Sequence, residues 1–77
     1  MSGVMYWESI ERNWTAYQLN AKGRWGRLTR DDLAQIAGKR ERLLATVREL
    51  YRLDDAQAEA QLAAWQAALR RVNPFFR

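Results

Sequence analysis

RWGRLTRDDLAQIAGKRERLLATVRELY, residues 24–51, decides the fold. A glycine turn, a helix start and an amphipathic helix follow one another there without a gap. Trp25-Gly26 interrupts the preceding helical pattern, because glycine tolerates the left-handed and extended conformations a corner needs. Thr29 stands where an N-cap belongs, its hydroxyl placed to accept from a backbone N–H one turn on. Asp32, at the third helical position, completes a short form of the capping box. Leu28 and Leu33 fall at the two positions of a hydrophobic staple. Asp31 and Asp32 set negative charge against the positive end of the helix dipole. Capping explains this acidic pair better than metal binding or acid–base work.

Further along the same stretch, Gly38 is either the end of a short helix, with Lys39 opening the next, or a kink in one long helix. Arg40 interrupts the apolar face just after the glycine, which favours two helices meeting at a corner. Leu43, Leu44, Val47, Leu50 and Tyr51 then follow the spacing i, i+1, i+4, i+7, i+8 of a single apolar stripe.

Outward from this centre, Trp7, Ile10, Trp14, Tyr17 and Ala21 alternate steps of three and four and predict one face of a first helix over residues 5–21, with Ser2 as a weak cap. Aromatics among basic residues are also the pattern of a base-stacking platform. Core is the stronger reading, since burial of one large side chain contributes about 1.5–3 kcal/mol and a chain this small needs it. Asn20, Lys22, Gly23 and Gly26 mark the first connection. On the other side, Asp54 is the N-cap of a last helix, Gln57 closes its capping box, and Leu53 with Ala58 forms a second staple. Ala58, Leu62, Trp65, Leu69 and Val72 are its buried stripe. Ala56, Ala60, Ala63, Ala64, Ala67 and Ala68 favour helix and leave a small-residue surface open to a close neighbour. Arg70 and Arg71 suit the negative helix end, and Asn73-Pro74 stops it. Phe75 and Phe76 beyond the proline fold back on the core, pack on a partner or hang free. Two aromatics alone do not hold a protein on a membrane. The organisation expected is therefore one helical domain over 1–72 and a tail over 73–77.

The 77 residues allow one modest core, and with 48% of them apolar or aromatic the chain is not obligately disordered. There is no cysteine and no histidine. A disulfide framework is thereby excluded, and ordinary zinc, haem and Ser-His chemistry lose their usual ligands and bases. The N-terminal sequence lacks the basic start and apolar run of a signal peptide, and no segment is apolar enough to span a bilayer, so a cytoplasmic location is expected. Thirteen basic residues against nine acidic ones leave a net charge of +4. Arginine dominates the basic set, and its fork suits carboxylates and phosphates. Interspersed acids make a solvated, salt-bridged surface the plain reading of these charges.

Arg24, Arg27 and Arg30 cluster about Trp25, and Lys39, Arg40 and Arg42 follow the glycine corner. Together these residues are the candidate surface for an anion or nucleic acid, arginines taking phosphates and Trp25 a base. Gly23-Arg-Trp-Gly26 lacks the spacing of a phosphate loop. No nucleophile–base pair, cofactor motif or metal-ligand cluster is visible, so no catalytic, cofactor-binding or metal residue is assigned.

One family carries the same residues. Trp7, Ile10, Asn13, Trp14, an aromatic at Tyr17, Trp25-Gly26, Leu28-Thr29, Asp31-Asp32-Leu33, Ile36-Ala37-Gly38-Lys39-Arg40, Leu43, Tyr51, Ala58-Glu59 and Trp65 resemble the CsbD-like bacterial stress-response proteins. The likeness runs without a gap over residues 5–65, and its most specific block is 25–40. It makes Trp7, Trp14, Trp25, Gly26, Thr29, Asp32, Gly38 and Trp65 a structural signature, and it implies a small helical cytoplasmic protein of general stress responses, with no established molecular activity. The family tends to have glycine where this chain has Arg12, Leu19 and Arg52, it is richer in lysine early on, and residues 66–77 pass its usual end.

The expectation is an all-α bundle of three to four short helices around a tryptophan-rich core. In function it is a non-enzymatic stress protein that binds or protects a partner. The rivals are a nucleic-acid-binding module on the arginine surface, a self-associating protein using the last helix and Phe75-Phe76, and, least supported by the residues, an enzyme.

Overall fold

Local signals and tertiary packing share the work of placing the helices. The structure, a computed structural model, describes the backbone of residues 2–72 and the side chains of residues 7–69. Among the described residues there are five helices: α1 Ser2–Arg12, α2 Trp14–Arg24, α3 Arg30–Ile36, α4 Arg40–Tyr51 and α5 Asp55–Val72. The all-α bundle around buried tryptophans is thus present. The helix count is five because residues 5–21, expected as one helix, are divided at Asn13. Ser2 already lies inside α1 and so is not its cap.

The break at Asn13 has a local cause. Its backbone N–H is shared between the Ser9 and Ile10 carbonyls, and its side-chain amide donates to Ser9 O at 2.9 Å. A side chain that bonds the preceding turn competes with the helical ladder. Trp14 restarts the helix, with Ala16 and Tyr17 N–H groups bonded to Asn13 O. The three-and-four spacing survives the break, so Trp7, Ile10, Trp14, Tyr17 and Ala21 all face the core.

The first connection also moves. Gly23 is helical, and the turn occupies residues 25–29. Gly26 has no left-handed φ, and a Cβ there would meet nothing within 4 Å. The corner is made by other groups: Trp25 N–H donates to Ala21 O, Leu28 N–H to Trp25 O, and Lys22 Nζ donates to Gly26 O and Leu28 O.

Both predicted capping boxes are complete. Thr29 Oγ1 accepts from the Asp32 N–H, and Asp32 accepts from the Thr29 N–H, each at 3.0 Å. Asp54 accepts from the Gln57 N–H at 2.8 Å, and Gln57 Oε1 accepts from the Asp54 N–H at 3.0 Å. These boxes satisfy donors that a helix start otherwise leaves open.

Gly38 is a corner between α3 and α4. Ala37 caps α3 at φ 51, and Gly38 follows at φ 80, two successive left-handed residues that turn the chain. A Cβ on Gly38 would stand 3.0 Å from Glu11 Cα and 3.1 Å from Glu11 O. Glycine is therefore required twice over, by its φ and by the close passage of α1. At the far end of α4, Arg52 is left-handed at φ 55 and closes the helix onto Arg48 O.

The core gathers one face from every helix: Trp7 and Ile10, Trp14 and Tyr17, Leu33 and Ile36, Leu43 and Val47, and Ala58, Leu62, Trp65 and Leu69 are buried. Trp65 is its hub, meeting Trp7 edge-on at 5.9 Å and Trp25 at 5.3 Å between ring centroids. Such edge-to-face pairs add about 0.5–1.5 kcal/mol to simple area burial. The Cα radius of gyration is 11.7 Å, against about 11.5 Å for a compact chain of this length. The Val72, Arg70 and Arg71 side chains and all of Asn73, Pro74, Phe75 and Phe76, with the tail expected over 73–77, lie outside the described residues.

Candidate functional site

Each tryptophan carries one donor, and each donor has a partner. The Trp7 indole N–H donates to Gly38 O and the Trp14 indole N–H to Leu33 O, both at 3.0 Å. Trp25 donates to Gln61 Oε1 at 3.3 Å and Trp65 to Asn20 Oδ1 at 2.8 Å. Among the described residues the buried side chains are all hydrophobic.

This disposes of one sequence expectation. Trp25, assigned above to the anion surface as a stacking ring, is 2% exposed and packs on Trp65. Its face is not presented to solvent, so it takes no part in a surface for bases. The apolar spacing of the sequence marks a buried ring and a stacking ring alike, and only the long-range pairing with Trp65 and Gln61 separates them.

The cations expected beside it fall into two groups. Lys39, Arg40 and Arg42 stand at the start of α4. Lys39 Nζ pairs with Glu11 of α1 at 2.6 Å. Arg40 holds Glu59 of α5 with both forks, at 2.7 and 3.2 Å, and its guanidinium lies 5.9 Å from the Trp7 ring centroid. That bond keeps the Glu59 carboxyl below the usual carboxylate range and raises the arginine. Arg42 donates to Gln35 O at 2.9 Å, closing the C-terminus of α3. These side chains brace helix against helix.

The second group stands at the other end of α4, about 15 Å away by helical rise between residues 40 and 50. Arg27 Nη1 donates to Leu50 O at 3.2 Å, its N–H donates to the Tyr51 hydroxyl at 3.1 Å, and its guanidinium lies 5.6 Å from the Tyr51 ring centroid. Arg24 is exposed and lines a shallow open depression of about 330 Å³ with Leu53, Gln57, Ala60, Gln61 and Ala64. Arg30 is exposed at the first position of α3, beside Asp31. The six cations are therefore not one surface.

Elsewhere, Ala56, Ala60, Ala63, Ala64, Ala67 and Ala68 are exposed on α5, away from its buried stripe. Leu19 is the exposed large hydrophobic of the described residues, at 72%, and a single such residue needs no partner. Among the described residues, no three His, Cys, Asp or Glu side chains gather as a metal site, and no helix is long and apolar enough to cross a membrane.

The chain is similar to a UPF0337 protein of Nitrosomonas europaea, 39% identical over 62 residues that cover 80% of this chain and 66% of that protein. It thus spans just under two-thirds of that relative. It is 39% identical over 54 residues to a UPF0337 protein of Pectobacterium atrosepticum, and 37% identical over 54 residues to the UPF0337 protein YjbJ of Escherichia coli strain K12. Each of these two matches covers 70% of this chain and 78% of the relative. No family model matches the chain, and no solved structure does.

Proposed function

The chain belongs to the UPF0337 family, and from that membership we propose a non-enzymatic, cytoplasmic stress-response protein of the CsbD-like type that acts by binding or protecting a partner. The observation that carries the reading is the use made of the polar side chains. The capping boxes close the starts of α3 and α5, and the indole donors and the Lys39, Arg40 and Arg48 ion pairs tie separate segments of the fold together. Among the described residues no carboxylate, lysine or arginine is buried in the core, so none is tuned by burial for acid–base work. A small rigid body with exposed arginines remains, and such a body acts through its surface.

The test is survival of a strain lacking the gene through heat, osmotic shock and prolonged stationary phase. Loss of survival under one of these, restored by the re-supplied gene, is expected. Survival equal to the parent under all of them would overturn the reading.

Self-association is a second reading, favoured by the exposed alanines of α5. It predicts a sedimentation mass that rises with concentration, and a monomer at every concentration contradicts it.

A further inference from the structure

Arg52 is an arginine where helix termination favours glycine. It sits at φ 55 as the C-cap of α4, a left-handed conformation that an ordinary side chain adopts only against steric resistance. Strain held at one residue is a reason to ask what that side chain does there.

The fold answers with its neighbours. Arg27, from the α2–α3 connection, bonds Leu50 O and lies over Tyr51, the residue just before Arg52. Arg24, at the end of α2, lines a depression with Leu53, the residue just after it. Three exposed arginines from three separate segments are thus brought to one corner of the molecule. Lys22 stands behind them, tying Gly26 O and Leu28 O. Carboxylates at this corner are Glu49, Asp54 and Asp55. Against these three carboxylates stand five cations, Lys22, Arg24, Arg27, Arg48 and Arg52, so the corner keeps a positive excess although Asp55 pairs with Arg48. The Arg27 guanidinium has five N–H donors, and the Leu50 bond uses one of them.

We propose that Arg24, Arg27 and Arg52 form a phosphate-binding corner that grips the backbone of double-stranded nucleic acid without reading its bases. Arginine forks match phosphate oxygens. A duplex suits the corner better than a single strand, which binds by stacking on open aromatic faces. Trp25 is buried, and Tyr51 is half-buried with Arg27 over one face of its ring, so this corner offers no open run of aromatic faces. The proposal rests on the reading that the protein acts by binding. It names the partner class, and its failure leaves the survival test untouched.

The experiment follows the anisotropy of a labelled 20-base-pair duplex of arbitrary sequence against the whole protein, across a salt series. Three phosphate contacts predict a log–log slope of about −2.7, so affinity falls about 40-fold between about 50 and about 200 mM salt. Arg24→Ala and Arg52→Gly each flatten the slope by about one, while Arg12→Ala, on α1, leaves it unchanged. Arg52→Gly is the decisive variant, because it removes the charge and relieves the backbone together, so weaker binding has no origin in misfolding. A thermal melt no lower than that of the parent verifies this. No binding at low salt overturns the proposal, as does a slope indifferent to Arg24→Ala and Arg52→Gly. Equal binding to polyglutamate or to phosphatidylserine vesicles also overturns it, by making the corner a general cation patch.

Discussion

The Trp7 indole N–H donates to Gly38 O across 31 residues of sequence, at 3.0 Å and out of water. The same glycine lets α1 pass so closely that a Cβ would meet the Glu11 backbone at 3.0 Å. Trp7 and Gly38 therefore lock the first helix onto the α3–α4 corner as a pair, one by its donor and one by its missing side chain.

Breaking either half should show in urea unfolding. Trp7→Phe keeps a ring but leaves the Gly38 carbonyl without its donor, and a loss of about 1–3 kcal/mol is expected. Gly38→Ala adds left-handed strain to a backbone clash, with an expected loss of about 2 kcal/mol or more. In the double variant the losses should fall short of their sum, since the two changes disrupt one contact.

The two capping boxes make a contrasting case. Thr29→Ala and Asp54→Ala should each lower stability by about 1 kcal/mol. They cap different helices and share no hydrogen-bond partner, so their effects should add to within about 0.5 kcal/mol.

These boxes were legible in the sequence because each depends on residues three apart. The apolar stripes were legible for the same reason, although on α4 only Leu43 and Val47 of the expected stripe are buried, with Leu44, Leu50 and Tyr51 partly buried against the core. Asn13 was harder to read. The three-and-four spacing continues through it, and the only local sign is a side chain that prefers bonding its own backbone to supporting a helix. The candidate surface was read least well, because sequence neighbours do not share a face after two corners. Arg27 and Arg40 lie at opposite ends of α4, while Arg24 lines one depression with Leu53, the residue after Arg52. An arginine just past Tyr51, where a helix end favours glycine, was the available signal for Arg52.

Relieving the left-handed residues should stabilise the protein. Arg52→Gly should gain about 0.5–1 kcal/mol, the released side-chain strain outweighing the added freedom of the unfolded glycine. Ala37, at φ 51, should respond to Ala37→Gly in the same direction. Thermal melts of the two single variants check both.

The Arg40–Glu59 pair gives a pH dependence of known sign. The arginine holds the Glu59 carboxyl below its ordinary value, so the ion pair's stabilisation is full above the unfolded-state pKa of about 4.3 and is lost as pH falls through the lower folded value. Glu59→Gln should be slightly less stable than the parent at neutral pH, the pair being half exposed and screened. The difference should close on acidification. A gap that persists at the lowest pH at which both proteins fold would assign the loss to packing.

The assignment of the tryptophans to the core decides between a phosphate grip and a stacking platform, and hydrogen exchange at the four indole N–H groups tests it most directly. The account predicts four dispersed indole resonances in a 15N correlation spectrum, with slow exchange in every one, Trp25 included. An indole of Trp25 that exchanges as fast as a free tryptophan side chain would contradict it and return that ring to the surface.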